Sequence, residues 1–373
     1  MRFYTNVVQW GNQILVREYK NGERLNHKVK YSPTLYVPVQ KETGWKTLDG
    51  KNVMPYKHDT IKGAKEFIQQ YQNQTHLVYG LDRFAYTYLA DVYPDKVEWD
   101  SDKILVVTID IETQCENGFP DPEKAEEEML SITIKNQTTK KIIVWGIGDY
   151  HTDREDVTYI NCSNENELLA QFMNFWTKHY PDVITGWNTE FFDMPFLINR
   201  VTKVLGEDRA KEFSPWGNVT ARKVYSHGRD QQVYDIQGVS NLDYLQVYKK
   251  FTYTAQESYR LDHIAFVELG EKKNENPYDT FKDWYTKDYQ SFIDYNIVDV
   301  ELVDRLEDKM KLLELLFTMA YEAKVNYDDV FGQVKYWDVL IHNYLKNKKI
   351  VIPQKSHTSK SDKYEGAYVK EPQ

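Results

Sequence analysis

Val106-Val107-Thr108-Ile109-Asp110-Ile111-Glu112-Thr113 reads as a buried strand that ends in two carboxylates. Residues two apart on a strand share a face. Asp110 and Glu112 therefore project together, while Ile109 and Ile111 face the opposite way, into a core. Two acids on one side of a buried strand call for something positive beside them. The rest of the chain says what that positive group is.

The bulk properties set the frame. A chain of 373 residues predicts two or three domains, and 41% hydrophobic residues are enough for ordinary cores. The 29 tyrosines suit packing at core edges at least as well as base stacking. Cys115 and Cys162 give neither a disulfide framework nor a metal knuckle, which points to a reducing compartment. No apolar run approaches the roughly 18 residues of a membrane span, and Met1-Arg2-Phe3-Tyr4 lacks the apolar core of a signal peptide. The net charge of −10 argues against a generic nucleic-acid binder. A metal-dependent nuclease needs carboxylates, however, so the sign does not exclude one. The charge is also uneven: from Lys346 onward seven lysines face three acids, Asp362, Glu365 and Glu371.

Residues 1 to about 100 read as a small mixed α+β unit. Phe3–Trp10, Gln13–Tyr19 and Thr34–Val39 are strand-like, with Gly11-Asn12 and Asn21-Gly22 as turns. Ile61–Tyr71 fits an amphipathic helix, and no catalytic constellation lies in this unit. After Val106–Thr113 come strands at Leu130–Ile134 and Lys141–Trp145, in an antiparallel-looking run. A helix follows near Ser163–His179, with Ser163 as its cap, then a short strand, Asp182–Thr185, and a helix from Asp193 to Val204. This order predicts an α/β layer architecture, a mixed sheet flanked by helices. Val219–Tyr225 and Gln232–Ile236 form a projecting hairpin around Ser226-His227-Gly228-Arg229. Val239–Phe251, Tyr259–Leu269 and one long region, Tyr285–Leu316, read as helical, and a last helix ends near Leu345.

Two later places match the opening pair in kind. Asn188-Thr189-Glu190-Phe191-Phe192-Asp193 puts a carboxylate at a strand-to-helix junction. Tyr295 and Asp299, four apart, share a helix face. Lys272-Lys273 lies in the polar loop between them. Alone, each has an ordinary explanation as a turn residue, a helix cap, a solvated face or loop charge. Their joint order in one domain does not. Hydrolysing a phosphodiester requires an activated water and neutralisation of an anionic transition state. Two divalent ions about 3.5–4 Å apart supply both. Hard oxygen ligands suit Mg2+ or Mn2+. Asp110, Glu112, Asp193 and Asp299 are thus the candidate metal-linked acids, and Tyr295 is placed to orient the water.

The order Asp-x-Glu, Asn-x-x-x-Phe-Asp, Tyr-x-x-x-Asp resembles the DEDD superfamily of 3′→5′ exonucleases, in its tyrosine subtype. The flanks are similar to the replicative family B DNA polymerases of T-even-type bacteriophages. Tyr31-Ser32-Pro33-Thr34-Leu35-Tyr36, Gly80-Leu81-Asp82-Arg83-Phe84, Gly118-Phe119-Pro120, Thr185-Gly186-Trp187-Asn188, Asp243-Tyr244 with Tyr248-Lys249-Lys250-Phe251, Val351-Ile352-Pro353-Gln354 and Gly366-Ala367-Tyr368-Val369-Lys370-Glu371-Pro372 carry it. The resemblance implies a ribonuclease-H-like exonuclease domain over 101–334. It also implies an N-terminal domain of residues 1–100 completed by 335–373. In the site it implies Asp110 as the ligand that bridges both ions, with Glu112 and Tyr295 orienting the water. Phe119, Asn188, Phe192, Arg229 and either Lys272 or Lys273 become DNA contacts, Phe119 by stacking on a frayed base. The hairpin resembles one that helps pass a primer end between sites.

The implied partners are single-stranded or frayed primer-template DNA, the palm, fingers and thumb in cis or as a second chain, a sliding clamp reached through those parts, and RNA at the N-terminal domain. The implied location is the cytoplasm of an infected bacterial host. The palm motifs, Asp before Ser-Leu-Tyr-Pro-Ser and a later Asp-Thr-Asp, do not occur. The chain is therefore expected to be a fragment or one piece of a split polymerase, unable to synthesise DNA without the palm. Two other readings share the pattern: an exoribonuclease, and a non-catalytic nucleic-acid-binding or assembly module.

Overall fold

The computed structural model describes residues 1–115, 118–226, 228–271 and 277–355. The expectations for Lys272, Lys273 and the tail from 356 onward lie outside the described residues. The chain opens with an antiparallel meander, β1 (Arg2–Trp10), β2 (Gln13–Lys20) and β3 (Glu23–Lys30). Asn21 and Gly22, at φ 52° and 96°, give the turn between β2 and β3 the positive φ pair that a tight two-residue hairpin needs. A second sheet holds β4 (Thr34–Pro38), β5 (Trp45–Thr47) and β6 (Asn52–Lys57), with β15 (Ile350–Val351) added parallel to β5. Two helices follow, α1 (Ile61–Gln70) and α2 (Phe84–Val92). The Thr60 hydroxyl caps α1 by accepting the Gly63 N–H at 3.0 Å.

The central sheet is six-stranded and mixed. Its strands are β7 (Val106–Thr113), β8 (Met129–Asn136), β9 (Ile142–Gly146), β10 (Val157–Asn161), β11 (Val183–Thr185) and β14 (Ser240–Asn241), in the order β10-β9-β8-β7-β11-β14. The β7–β8 and β8–β9 pairs are antiparallel, whereas β10–β9, β7–β11 and β11–β14 are parallel. This mixed α/β sheet is consistent with a ribonuclease-H-like domain.

Helices cover both faces. On one, Ile109 and Ile111 of β7 pack with Leu169 and Phe172 of α3 (Glu165–Lys178) and Phe196 of α4 (Asp193–Leu205). A short helix, α5 (Glu207–Lys211), extends α4, and β12 (Val219–Ser226) with β13 (Arg229–Ile236) forms the expected hairpin as a separate two-stranded sheet. After β14 come α6 (Tyr244–Phe251), α7 (Leu261–Leu269) and α8 (Phe281–Lys287). The other sheet face takes α9 (Tyr289–Met310), whose Phe292, Ile293 and Ile297 pack with Leu130, Ile142 and Val144. The chain then runs through α10 (Leu312–Ala323) and α11 (Gln333–Asn347) to β15. One large core joins β1 to the late helices: Phe3, Tyr4, Leu306, Leu316, Tyr321 and Tyr327 are all buried in it.

Several local readings are corrected. Tyr285–Leu316 is not one helical region. It divides among α8, α9 and α10, with Asp288 capping α9 and Lys311 at φ 55° between α9 and α10. Asn164 rather than Ser163 caps α3, and Ser163 instead binds the Glu167 carboxylate. The segment 239–251 begins with β14 and becomes helical only after Asp243. The strand β3 lies outside the expected elements; its charged residues are exposed, and Leu25 and Val29 alone are too few apolar positions to mark a strand. Among the described residues no helix is long and apolar enough to cross a membrane.

Candidate metal centre

The opening strand does what its alternation requires. Asp110 and Glu112 stand opposite Thr133 and Ser131 of β8, on the face away from Ile109 and Ile111. The ladder then skips a residue, from Glu112 opposite Ser131 to Thr113 opposite Met129. The bulge ends regular pairing where the acids emerge. Helix α9 crosses this face and brings Asp299 to it. Carboxylate oxygens of Asp110, Glu112 and Asp299 lie within 4.8 Å of one another, with Glu112 and Asp299 buried. Like charges this close repel by on the order of 3 kcal/mol per pair at an effective dielectric near 20. A bound divalent cation reverses that sign.

Asp193 is held differently. Phe192 is the cap residue of α4 and Asp193 is its first residue. The Asp193 Oδ1 accepts the N–H of Ile111, 3.2 Å away, between the two strand acids. The carboxyl is 3% exposed. Its pKa is pushed up to about 8, chiefly by burial, with the charges of Asp243 and Asp299 adding to the effect. An acid this poorly solvated at neutral pH fits a site completed by a cation.

The junction that delivers Asp193 is built tightly. Gly186 ends β11 against β7; a Cβ there would meet the Ile109 carbonyl at 2.5 Å. Asn188 follows at φ 75°, a left-handed conformation that asparagine tolerates better than most residues. Its carbonyl accepts the N–H groups of Phe191 and Phe192. Asp243, 1% exposed, accepts the backbone N–H of Asn188 (3.0 Å), Glu190 (3.2 Å) and Leu245 (3.0 Å). It therefore caps α6 and pins the turn at once. Burial pushes its pKa up to about 7 even so.

The other expected residues fall as follows. Tyr295 lies one turn before Asp299 on α9, half-buried, its ring edge-on to Trp284 at 4.7 Å. Phe119 is 83% exposed and its ring centre is 5.1 Å from that of Phe192. Arg229 is exposed at the hairpin tip. Two groups in the site were not anticipated. Asn296 is fully buried and donates from Nδ2 to Asp110 Oδ2 at 2.5 Å. Asp243 carried only a flanking resemblance. A signal existed for both: Ser131 and Thr133 are a polar pair on one face of the otherwise apolar run Met129–Ile134, and Asp243 immediately precedes a helical pattern.

The sequence profile of a family described as DNA polymerase family B, exonuclease domain, matches residues 51–264. The DNA-directed DNA polymerases of Enterobacteria phage T4 and Escherichia phage RB69 are each 32% identical over 99% of this chain. Those alignments extend past the profile match to take in Tyr295 and Asp299. The DNA polymerase delta catalytic subunit of Candida albicans is 28% identical over 75% of the chain. The chain spans 44% of the length of either phage polymerase.

Proposed function

This chain belongs to the family B DNA polymerases through its exonuclease domain, and we propose that it is a metal-dependent 3′→5′ exonuclease that trims mispaired nucleotides from single-stranded or frayed DNA ends. The observation that carries this reading is the meeting of Asp110, Glu112 and Asp299 within 4.8 Å at the end of one strand and the facing helix. An all-carboxylate set of hard oxygens fits Mg2+ or Mn2+, and ligands across one such ion are about 4 Å apart. Asp110, Glu112, Asp193 and Asp299 are the residues that would hold the ions. When bound, the metal pair supplies an activated water and stabilises the charge of the displacement.

The protein's own residues do the rest. Strand β7 fixes Asp110 and Glu112 from one side, and α9 presents Asp299 and Tyr295 from the other. Tyr295 donates its phenol proton toward the water, with Glu112 accepting from it. Phe119 and Phe192 offer a paired aromatic surface for the terminal bases. Arg229 and one of Lys272 and Lys273 attract the backbone phosphates, and Asn188 lies beside the scissile end.

In the same reading, residues 101–334 are the exonuclease domain, and 1–100 with 335–373 are an N-terminal domain. The chain serves as the proofreading part of a replicative polymerase. The palm, fingers and thumb, in cis or on a second chain, provide synthesis and any clamp contact. The test is digestion of matched single-stranded DNA and RNA by the purified chain with Mg2+. Faster release of nucleoside monophosphates from DNA is expected. Preferential RNA digestion makes it an exoribonuclease; nucleic-acid binding with no digestion makes it a binding module.

A further inference from the structure

Asn296 sits in the wall of the metal centre with no exposed surface. Its side chain spans three elements. The Oδ1 accepts from the hydroxyls of Ser131, at 3.1 Å, and Thr133. The Nδ2 donates to Asp110 Oδ2 at 2.5 Å. Ser131 and Thr133 are the β8 residues directly opposite Glu112 and Asp110. The amide orientation follows from its neighbours: a flipped Asn296 would set its oxygen against the Asp110 carboxylate.

We propose that Asn296 is a positioning residue for metal binding, the middle member of a hydroxyl–amide–carboxylate relay that fixes the Asp110 rotamer. The proposal rests on the metal-dependent reading of the site. The relay has a chemical logic. A carboxylate that shares a site with other carboxylates needs a donor to hold it in place. A lysine or arginine there would neutralise the cluster and compete with the ion. A neutral amide donates one hydrogen bond and leaves the negative charge of the cluster for the metal. Two hydroxyls behind the amide polarise it and lock its plane, so its donor points one way. Outer-shell groups of this kind are worth about 10–100-fold in metal affinity or activity.

The test is Mn2+ titration of the full chain followed by electron paramagnetic resonance of the free ion, with kcat and KM on single-stranded DNA in parallel. Asn296→Leu is expected to weaken Mn2+ binding about 10–100-fold and to lower kcat comparably, with KM for DNA within about 3-fold of wild type. Thr133→Ser, which keeps the hydroxyl, is expected to bind as wild type does. Thr133→Val is expected to bind more weakly than Thr133→Ser. Combining Asn296→Leu with Ser131→Ala and Thr133→Val removes the stranded polar partners on β8. This triple variant is expected to recover thermal stability but not metal affinity. Wild-type Mn2+ affinity in folded Asn296→Leu, or restored affinity in the triple variant, would overturn the proposal. Equal binding by Thr133→Val and Thr133→Ser would do the same. A wild-type chain that binds Mn2+ and leaves DNA intact counts against the nuclease reading, and the Mn2+ comparison among variants still decides the role of Asn296.

Discussion

At the scale of single residues, Asp193 is the acid that burial makes most dependent on its surroundings. A carboxyl whose folded pKa is raised contributes stability below its unfolded pKa, near 4, and loses it as pH rises through the folded value. For Asp193 that value is about 8, and for Asp243 about 7. The metal-free protein should therefore lose stability between about pH 4 and 8. With Asp193 among the metal-holding acids, as proposed above, a bound cation would displace its proton, and Mg2+ should then raise Tm more at pH 8 than at pH 6. Asp193→Asn should flatten this pH dependence, raise the metal-free Tm at pH 8 and abolish digestion. Differential scanning fluorimetry across pH checks it; an equal Mg2+ gain at both pH values would contradict it. The acids were legible in the sequence because a carboxylate at the end of an apolar strand or on a core-facing helix turn is conspicuous. Asn296 was harder to read, because an amide within a helical motif carries no sign of its orientation, and the one hint of it, the Ser131 and Thr133 pair, lies 165 and 163 residues away.

At the scale of elements, the junction from β11 to α4 decides where Asp193 lies, and Asp243 holds that junction. Asparagine in its place keeps one acceptor oxygen and turns the other into a donor, facing a backbone N–H. Asp243→Asn should lower stability by about 1–3 kcal/mol, the usual cost of a stranded donor or a lost charged hydrogen bond. It should also reduce digestion, because the turn that presents Asp193 loosens. Chemical denaturation and the single-strand assay read the two effects; unchanged stability and unchanged rate would show that the turn does not need this clamp.

The elements themselves were unevenly legible. β7, β8, β9, α3, α4 and the hairpin follow from apolar period and turn residues. The divisions among α8, α9 and α10 do not, because apolar spacing runs on through Asp288 and Lys311 while the backbone breaks there. β3 is an edge strand with charged residues at half of its positions, the composition that protects a sheet edge and hides the strand from a pattern search. β14 and β15, two residues each, are set by pairing to β11 and β5 and leave no period to read.

At the scale of the whole molecule, the first sheet is tied to the central one by a buried ion pair. Arg17 of β2, 3% exposed, meets Asp182, 1% exposed, at 3.3 Å. Its Nη1 also donates to the carbonyls of Pro181 (2.7 Å) and Gly238 (2.5 Å). Asp182 in turn accepts from Thr5 Oγ1, Arg24 and the Leu105 N–H. Removing one member leaves buried charge and carbonyls without donors. Arg17→Met should cost about 3–5 kcal/mol in urea unfolding. Removing the exposed Arg222, which pairs with half-buried Glu190 and exposed Asp235, should cost no more than about 1 kcal/mol. Similar costs for the two would remove the argument that this buried tie joins the sheets.

The proposed nuclease requires the three carboxylates at the end of β7 and on α9 to be a catalytic metal centre. The most direct measurement is digestion of single-stranded DNA labelled at its 5′ end by the whole chain in Mg2+, beside the double variant Asp110→Ala, Glu112→Ala. The predicted result is a ladder that shortens from the 3′ end with wild type, stopped by EDTA, and intact DNA with a folded double variant. Intact DNA with wild type, or the same ladder from the double variant, would contradict it.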